Sequence, residues 1–158
     1  MKRLLLTIPL LMLVLLPAVT GSAAPGPAPA AKDKCAVCGM FVAKYPDWFA
    51  AIEYRDGRRL WFDGVKDLMK AYLEPGRYGL PKERSEIKGI LVKDYYSLKL
   101  VDGRTARYVL GSDVLGPMGK ELVPFAREND AAGFKNDHRG EQVLRFDQIN
   151  SAVLKKLE

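Results

Sequence analysis

Two stretches of this chain carry the same order of local signals, and that order restricts the fold more than any other feature. Residues 57–65 and residues 140–149 each begin at a glycine, continue through a strand-like run and reach a Phe-Asp pair. Each aspartate is predicted to be the N-cap of an amphipathic helix, because a carboxylate accepts hydrogen bonds from free backbone N–H groups. The two helices are predicted to end at Leu73 and Leu157. The pattern predicts a strand followed by a capped helix in each stretch, and an internal duplication would account for the likeness between the two.

Any hairpin that leads into a helix shares this order, so internal duplication is one of two interpretations. Other local signals place the remaining elements. Strands are predicted at 48–54, 58–62, 90–94, 97–101, 106–110 and 142–146, a short helix at 126–135, and hairpin turns at Asp56-Gly57 and Asp102-Gly103. Residues 111–125 contain three glycines and two prolines, a composition that predicts irregular structure.

The N-terminal part of the chain has the composition of an export signal. Residues 1–24 combine Lys2-Arg3, an apolar run and small residues suited to cleavage. The Pro/Ala-rich residues 25–31 predict an extended linker, and residues 32–158 a folded domain with modules at about 32–76 and 88–158. We therefore expect a periplasmic protein. No cysteine lies at the cleavage boundary, so a lipid anchor is not expected, and an uncleaved signal anchor is the alternative route to a membrane.

Net charge gives no indication of nucleic-acid binding. The 158 residues carry a formal net charge of +6, and removing Lys2 and Arg3 with the leader leaves +4. The remaining basic residues are spread out, without a Lys/Arg block interleaved with aromatic residues. A dispersed positive charge of this size is typical of a solubilising surface.

The only two cysteines lie close together at the start of the predicted domain. They form the sequence Cys35-Ala-Val-Cys38-Gly39-Met40. Two thiolates at this spacing can converge on one ion in a tight turn, which Gly39 permits because it tolerates a positive φ. Thiolates and the Met40 thioether are soft donors, which favour Cu(I) over Mg²⁺, Ca²⁺ or Mn²⁺. The motif therefore indicates a soft-metal site.

Three other interpretations of the cysteine pair are open. A local disulfide is compatible with an oxidising compartment. A redox pair of the thioredoxin type is a second interpretation, although the motif does not follow a strand in a βαβ pattern. Half of a zinc site is a third, but the sequence has no second CxxC motif and no HxxxH motif to complete four ligands.

Two residues outside this motif are candidate ligands. Met118 lies in a Gly-Pro-Met-Gly segment, and internal duplication would bring it towards the cysteines. His138 is the only histidine and is either an exposed surface residue or a ligand. No combination of nucleophile and base stands out, so the protein is predicted to hold a ligand and not to be an enzyme.

Several of these motifs together resemble the NosL family. They are the Cys-x-x-Cys-Gly-Met segment, the Trp-Phe-Asp-Gly strand end at 61–64, the Gly-Pro-Met-Gly loop with its flanking residues 111–125, and Val-Leu-x-Phe-Asp at 143–147. The likeness covers nearly all of residues 35–157. The first half is also similar to small YHS-type metal-binding modules.

The resemblance implies an α+β fold of two related small modules, each a β-hairpin or meander with a capped amphipathic helix. It also implies an exported copper-binding accessory protein. Its expected role is to carry Cu(I) for assembly of the copper-sulfide centre of nitrous oxide reductase, with that enzyme or an ABC-type maturation machinery as partner. Carried over by position, the metal ligands are Cys35, Cys38, Met40 and, as a weaker candidate, Met118. Family members commonly have a lipid-attachment cysteine, which this leader lacks. Alternatives are a chaperone for another periplasmic copper enzyme and an exported thiol–disulfide oxidoreductase.

Overall fold

The computed structural model describes residues 27–81 and 83–158. The predicted signal segment, residues 1–24, lies outside them. The described elements are, in order, β1 (Ala50–Tyr54), β2 (Arg59–Phe62), α1 (Val65–Leu73), β3 (Ile87–Lys93), β4 (Leu100–Asp102), β5 (Arg107–Leu110), β6 (Leu115–Gly116), β7 (Gly119–Lys120), β8 (Val123–Phe125), α2 (Glu128–Asp137), β9 (Gln142–Arg145) and α3 (Ser151–Lys155). The predicted α+β class is confirmed. No helix in the described ranges has the length and apolar character needed to span a membrane.

The first sheet is antiparallel, with the strand order β2-β1-β3-β4. The predicted Asp56-Gly57 hairpin is confirmed: β1 and β2 pair in the register Ala50↔Phe62, and Gly57 has a φ of 89°. A glycine adopts this left-handed conformation without a Cβ penalty. This hairpin leads directly into α1.

Helix α1 covers the first sheet with its apolar face. Val65, Leu68 and Met69 recur at helical spacing and are buried, as their periodicity predicts. The predicted N-cap was wrong, because Gly64 occupies that position and offers no side-chain hydrogen bond. Asp63, one residue earlier, accepts a hydrogen bond from the Cys38 thiol instead of capping the helix.

The predicted hairpin at Asp102-Gly103 was also wrong. Strand β4 pairs with β3, whereas β5 pairs with β8 and β9 in a second sheet of order β8-β5-β9. The turn therefore carries the chain from one sheet to the other. The Tyr108 hydroxyl donates a hydrogen bond of 2.5 Å to the Gly103 carbonyl oxygen, which holds the crossing in place.

Residues 111–125 were predicted to be irregular, and this was wrong as well. They contain β6 and β7, paired through Gly116↔Gly119, followed by β8. Pro124 is tolerated in β8 because this strand lies at the edge of its sheet. Such short strands depend on partners distant in sequence, which local composition does not reveal.

The last helix begins later than predicted. Asp147 lies in a 3₁₀ turn, Phe146–Gln148. The N-cap of α3 is Asn150, whose Oδ1 accepts hydrogen bonds from the backbone N–H groups of Ala152 and Val153. The strand predicted before it is confirmed as β9.

The main hydrophobic core joins the two sheets. Ile90 of β3 and Tyr108 of β5 belong to the same buried cluster, and a smaller cluster lies around Phe125 and Phe134. The sheets divide between β4 and β5, whereas the predicted modules divide between residues 76 and 88. The division into two related modules stays a prediction.

Candidate metal centre

The Cys-x-x-Cys-Gly-Met segment forms a closed turn. The Cys35 backbone N–H donates to the Met40 carbonyl oxygen at 2.8 Å, and the Gly39 N–H donates to the Cys35 carbonyl oxygen at 3.0 Å. Gly39 has a φ of 78°, the conformation for which its lack of a Cβ suits it. An isolated bridge between Lys34 and Phe41 closes the base of the turn. The predicted turn geometry is thus confirmed.

This turn is attached to the end of the first hairpin. The Ala36 N–H donates to the Trp61 carbonyl oxygen at 3.0 Å, and Trp61 lies near the end of β2. Asp63 follows β2, and Asp67 lies in the first turn of α1. The hairpin and helix thereby bring two carboxylates to the cysteines.

Four side chains converge at this point. The Sγ atoms of Cys35 and Cys38 and one carboxylate oxygen each of Asp63 and Asp67 all lie within 4.8 Å of one another. Cys35, Asp63 and Asp67 are buried, and Cys38 is partly exposed. An ion bound here would therefore be reached from the Cys38 side.

Both cysteines are free thiols and both meet a carboxylate. The Cys35 thiol donates to Asp67 Oδ2 at 3.4 Å, and the Cys38 thiol donates to Asp63 Oδ2 at 3.5 Å. Burial raises the pKa of Cys35 well above its usual value, although backbone N–H groups near the sulfur favour the thiolate. Burial, with a smaller contribution from the Asp63 charge, raises the pKa of Cys38 to about 11. The thiols are therefore protonated at neutral pH until a metal displaces their protons.

The two carboxylates are arranged differently. Asp67 Oδ1 faces the Lys70 ammonium at 3.6 Å. Asp63 Oδ1 is buried and has no hydrogen-bond partner. A buried polar atom without a partner costs free energy, and a cation at the centre of the group would supply the missing interaction. The donor set of two sulfurs and two oxygens suits a metal that accepts thiolate ligands.

The sequence pointed to the cysteines but not to Asp63 and Asp67. One signal was available, because the two acidic residues lie only four positions apart where a predicted strand leads into a predicted helix. Asp63 instead matched the pattern of an N-cap, and solvated acidic residues are common on helices. The two carboxylates became candidate ligands only once the structure placed them beside the cysteine turn.

The predicted methionine ligands have different positions. Met40 is partly buried in the cysteine turn. Met118 lies between β6 and β7, its side chain is 46% exposed, and its carbonyl oxygen accepts a hydrogen bond from Lys66 of α1. Both methionines stay predicted ligands.

His138 is placed elsewhere. Its Nδ1 lies 3.2 Å from Asp113 Oδ1, and its ring stacks on Phe134 with the centroids 4.3 Å apart. The group of four contains no histidine. His138 therefore contacts Asp113 and Phe134, and its role as a ligand stays a prediction.

Comparison with known proteins gives the family. The NosL family model matches residues 27–154. This chain belongs to the NosL family. The resemblance found in the sequence motifs is therefore confirmed, and the cysteine turn and both aspartates lie inside the matched region.

One curated relative and two solved NosL structures extend the comparison. The copper-binding lipoprotein NosL of Stutzerimonas stutzeri is 30% identical over 132 residues, which are 78% of this chain and 65% of that protein. The chain thus spans slightly less than two thirds of that relative's length. The crystal structure of the copper chaperone NosL from Shewanella denitrificans has a TM-score of 0.68 and 25% identity, with 80% of this chain and 96% of that chain covered. The solution structure of apo-NosL from Achromobacter cycloclastes has a TM-score of 0.47 and 27% identity, with 66% and 87% covered.

The relative's name bears on one further expectation. It is called a lipoprotein, so the comparison gives no support to the prediction that this chain lacks a lipid anchor. That prediction was based on the residues around position 24, which lie outside the described ranges.

Proposed function

We propose that this protein is an exported, periplasmic carrier of Cu(I). One observation supports this above all: two cysteine sulfurs and two carboxylate oxygens lie within 4.8 Å of one another, and Cys38 is partly exposed. Two NosL relatives are named for copper binding or copper chaperoning. Sulfur donors stabilise the cuprous state, so Cys35 and Cys38 are the principal ligands, with Met40 and Met118 as additional thioether donors.

The geometry suggests how the ion is loaded. Cu(I) enters from the side of Cys38, and each thiol that becomes a ligand loses its proton. Asp63 and Asp67 already accept the thiol hydrogen bonds, so they are placed to receive these protons and pass them to solvent. In the loaded site, two thiolates and two carboxylates surround a single positive charge. Lys70 offsets part of this excess negative charge, and the remaining repulsion favours release to an acceptor.

A chelator competition tests the site. Fully reduced protein is titrated with Cu(I) against a chromogenic Cu(I) chelator, and about one ion per chain is expected to bind tightly. The Cys35→Ser/Cys38→Ser variant is expected to lose tight binding, because hydroxyl oxygens are poor ligands for a soft ion. Stoichiometric tight binding by this variant would refute the carrier assignment.

The competing function is an exported thiol–disulfide oxidoreductase, which would make the protein an enzyme. Such enzymes activate a cysteine by lowering its pKa, whereas burial raises the pKa of both thiols here. Insulin reduction separates the two functions. We expect no turnover, and catalytic reduction without metal would favour the oxidoreductase.

We further propose that the ion is delivered for the copper-sulfide centre of nitrous oxide reductase, directly or through an ABC-type maturation machinery. Copper-loaded protein is mixed with the metal-free reductase, with and without that machinery, and copper is measured in each protein after separation. Transfer is expected to exceed that from an equal amount of chelated Cu(I). Transfer to a different periplasmic copper enzyme, and none to the reductase, would replace the acceptor but leave the carrier role intact.

A further inference from the structure

A buried lysine, Lys66, and a buried glutamate, Glu121, lie beside the candidate metal centre and are not among its four candidate ligands. Lys66 is 4% exposed and Glu121 is 3% exposed, and charged residues are rarely buried to this extent. Lys66 lies in the first turn of α1, between Asp63 and Asp67. Glu121 follows β7, more than fifty residues along the chain.

Glu121 supplies the cap that α1 lacks. Its Oε1 accepts hydrogen bonds from the backbone N–H groups of Lys66, at 2.6 Å, and Leu122, at 2.8 Å. The N–H groups in the first turn of a helix have no partner within the helix, and the N-cap Gly64 has no side chain to provide one. The first turn of α1 therefore depends on a residue from the other half of the chain.

Two glycines make room for the Glu121 carboxyl group. A Cβ at Gly64 would lie 2.2 Å from Glu121 Oε2, and a Cβ at Gly116 would lie 3.0 Å from Glu121 Cβ and Cγ. Gly116 belongs to β6 and also approaches Trp48, whose Cε3 would be 3.4 Å from the added atom. The β6–β7 hairpin and the start of α1 thus both pack closely against the Glu121 side chain.

Lys66 connects the same two elements from the helix side. Its Nζ donates hydrogen bonds to the carbonyl oxygens of Met118 and Lys120, both at 2.8 Å. These oxygens belong to the turn of the β6–β7 hairpin and to its second strand. The ammonium group consequently holds the segment that carries Met118 against the first turn of α1.

We propose that Lys66 and Glu121 are positioning residues for the copper site. They hold the β6–β7 hairpin on the helix turn that carries Asp67, so that the Met118 thioether completes the sulfur ligands. Cu(I) affinity thus depends on both residues, although neither touches the ion. The inference rests on the proposed function, because it requires that the protein bind Cu(I).

A four-protein cycle tests the coupling. Wild type, Met118→Leu, Lys66→Met and the double variant are compared by Cu(I) competition, and the sulfur atoms per copper are counted by X-ray absorption spectroscopy. Each single variant is expected to weaken binding by about tenfold, the lower end of the range for residues that support metal ligands, and to lose about one sulfur per copper. The double variant is expected to be no weaker than either single variant. The proposal would be overturned if the two losses of Cu(I) affinity multiplied in the double variant. It would also be overturned if Lys66→Met kept the wild-type number of sulfur atoms per copper.

Matched variants distinguish positioning from general damage. Lys66→Arg retains the donors and Glu121→Gln retains the acceptor oxygen, so both are expected to bind Cu(I) within about threefold of wild type, whereas Glu121→Ala is expected to lose about tenfold. Lys88→Met replaces an exposed lysine of β3 and is expected to have no effect on Cu(I) affinity.

Should Lys66→Met fail to fold, Lys66→Gln replaces it in the cycle, because its side chain is too short to reach either carbonyl oxygen. A wild-type protein that ignores Cu(I) would contradict the proposed function, whereas binding without the coupling would contradict only this inference.

Discussion

The Asp63 carboxylate faces the cysteines and does not cap helix α1. One of its carboxylate oxygens accepts a hydrogen bond from the Cys38 thiol, and the other is buried without a partner. Protein folds seldom retain such an atom without a compensating interaction. The arrangement is explained if the side chain is kept for a cation and not for the helix that follows it.

The carboxylates are expected to affect hard and soft metals differently. Replacing both, in Asp63→Asn/Asp67→Asn, should lower the Zn(II) affinity at least about tenfold more than the Cu(I) affinity, because Cu(I) depends mainly on sulfur donors. Both affinities are measured by chelator competition. Asp113→Asn alters an exposed aspartate that contacts His138 and is the control. Equal losses for the two ions would show that the oxygens are equally important to both.

Cu(I) affinity is expected to rise with pH. Burial raises the pKa of Cys38 to about 11 and that of Cys35 as well, so both thiols hold protons between about pH 6 and 8. Each proton displaced by the metal makes the apparent affinity about tenfold higher per pH unit. Competition titrations across this range measure the slope, and Cys38→Ser should reduce it by about one proton. A flat profile in wild type would mean that the thiols are already ionised.

At the scale of elements, α1 is where the two halves of the chain meet. Its apolar face packs on the first sheet, and its first turn is capped from β7–β8 by Glu121. The stability of α1 therefore depends on residues that are distant in the sequence.

Gly64→Ala is expected to destabilise the protein, because the new Cβ would lie 2.2 Å from Glu121 Oε2. Overpacking of a buried site typically costs about 1–3 kcal/mol. The matched control is Gly133→Ala in α2, where a Cβ has no neighbour within 4 Å and alanine should stabilise the helix by up to about 1 kcal/mol. Urea denaturation measures both free energies of unfolding. Equal effects at the two glycines would contradict the close packing around Glu121.

The pH dependence of stability should report on Glu121. Burial raises its pKa to about 8, with the Lys66 charge opposing the shift and the Asp67 charge adding to it. A glutamate in an unfolded chain has a pKa of about 4.3. Between these values the folded chain keeps a proton that the unfolded chain has lost, so the free energy of unfolding falls as pH rises.

Glu121→Gln removes that titration. The stability of the variant relative to wild type should therefore increase with pH across this window, by up to about 1.4 kcal/mol per pH unit. Taking the difference between the two proteins cancels the other titrating groups. A constant difference from about pH 5 to pH 8 would show that Glu121 is ionised throughout.

At the scale of the whole molecule, the two sheets share one main core. Trp61 belongs to the large cluster that joins them, and Trp48 packs against the smaller cluster around Phe125 and Phe134. Residues from both halves interlock in the large cluster and in the contacts of Lys66 and Glu121. Unfolding one sheet alone would expose this shared surface, which predicts a single cooperative unit.

The two tryptophans allow a direct measurement. Trp48→Phe and Trp61→Phe each leave one fluorescent reporter, in a different cluster. In each variant the fluorescence and circular dichroism transitions in urea should coincide. A Trp48 transition that precedes loss of secondary structure would instead indicate that the second sheet unfolds separately, as independent modules would.

Features encoded by neighbouring residues were predictable from the sequence. The apolar spacing of α1, the Asp56-Gly57 hairpin and the closed turn at Cys35–Met40 depend on local backbone preferences and periodicity, and the structure contains all three. The family also followed from the motifs. The two cysteine sulfurs of the candidate site were therefore predictable from the sequence.

Contacts between distant residues required the tertiary structure. Asp63 and Asp67 lie 25 and 32 residues from the cysteines they meet, and Glu121 lies 55 residues from the N–H group that it caps. The turn at Asp102-Gly103 has hairpin composition, yet it joins two sheets because strand pairing is decided by partners elsewhere in the chain. Local preferences amount to about 1 kcal/mol per residue, whereas burying a side chain or satisfying a buried polar group is worth as much or more. Where the two conflict, packing decides which way a carboxylate points.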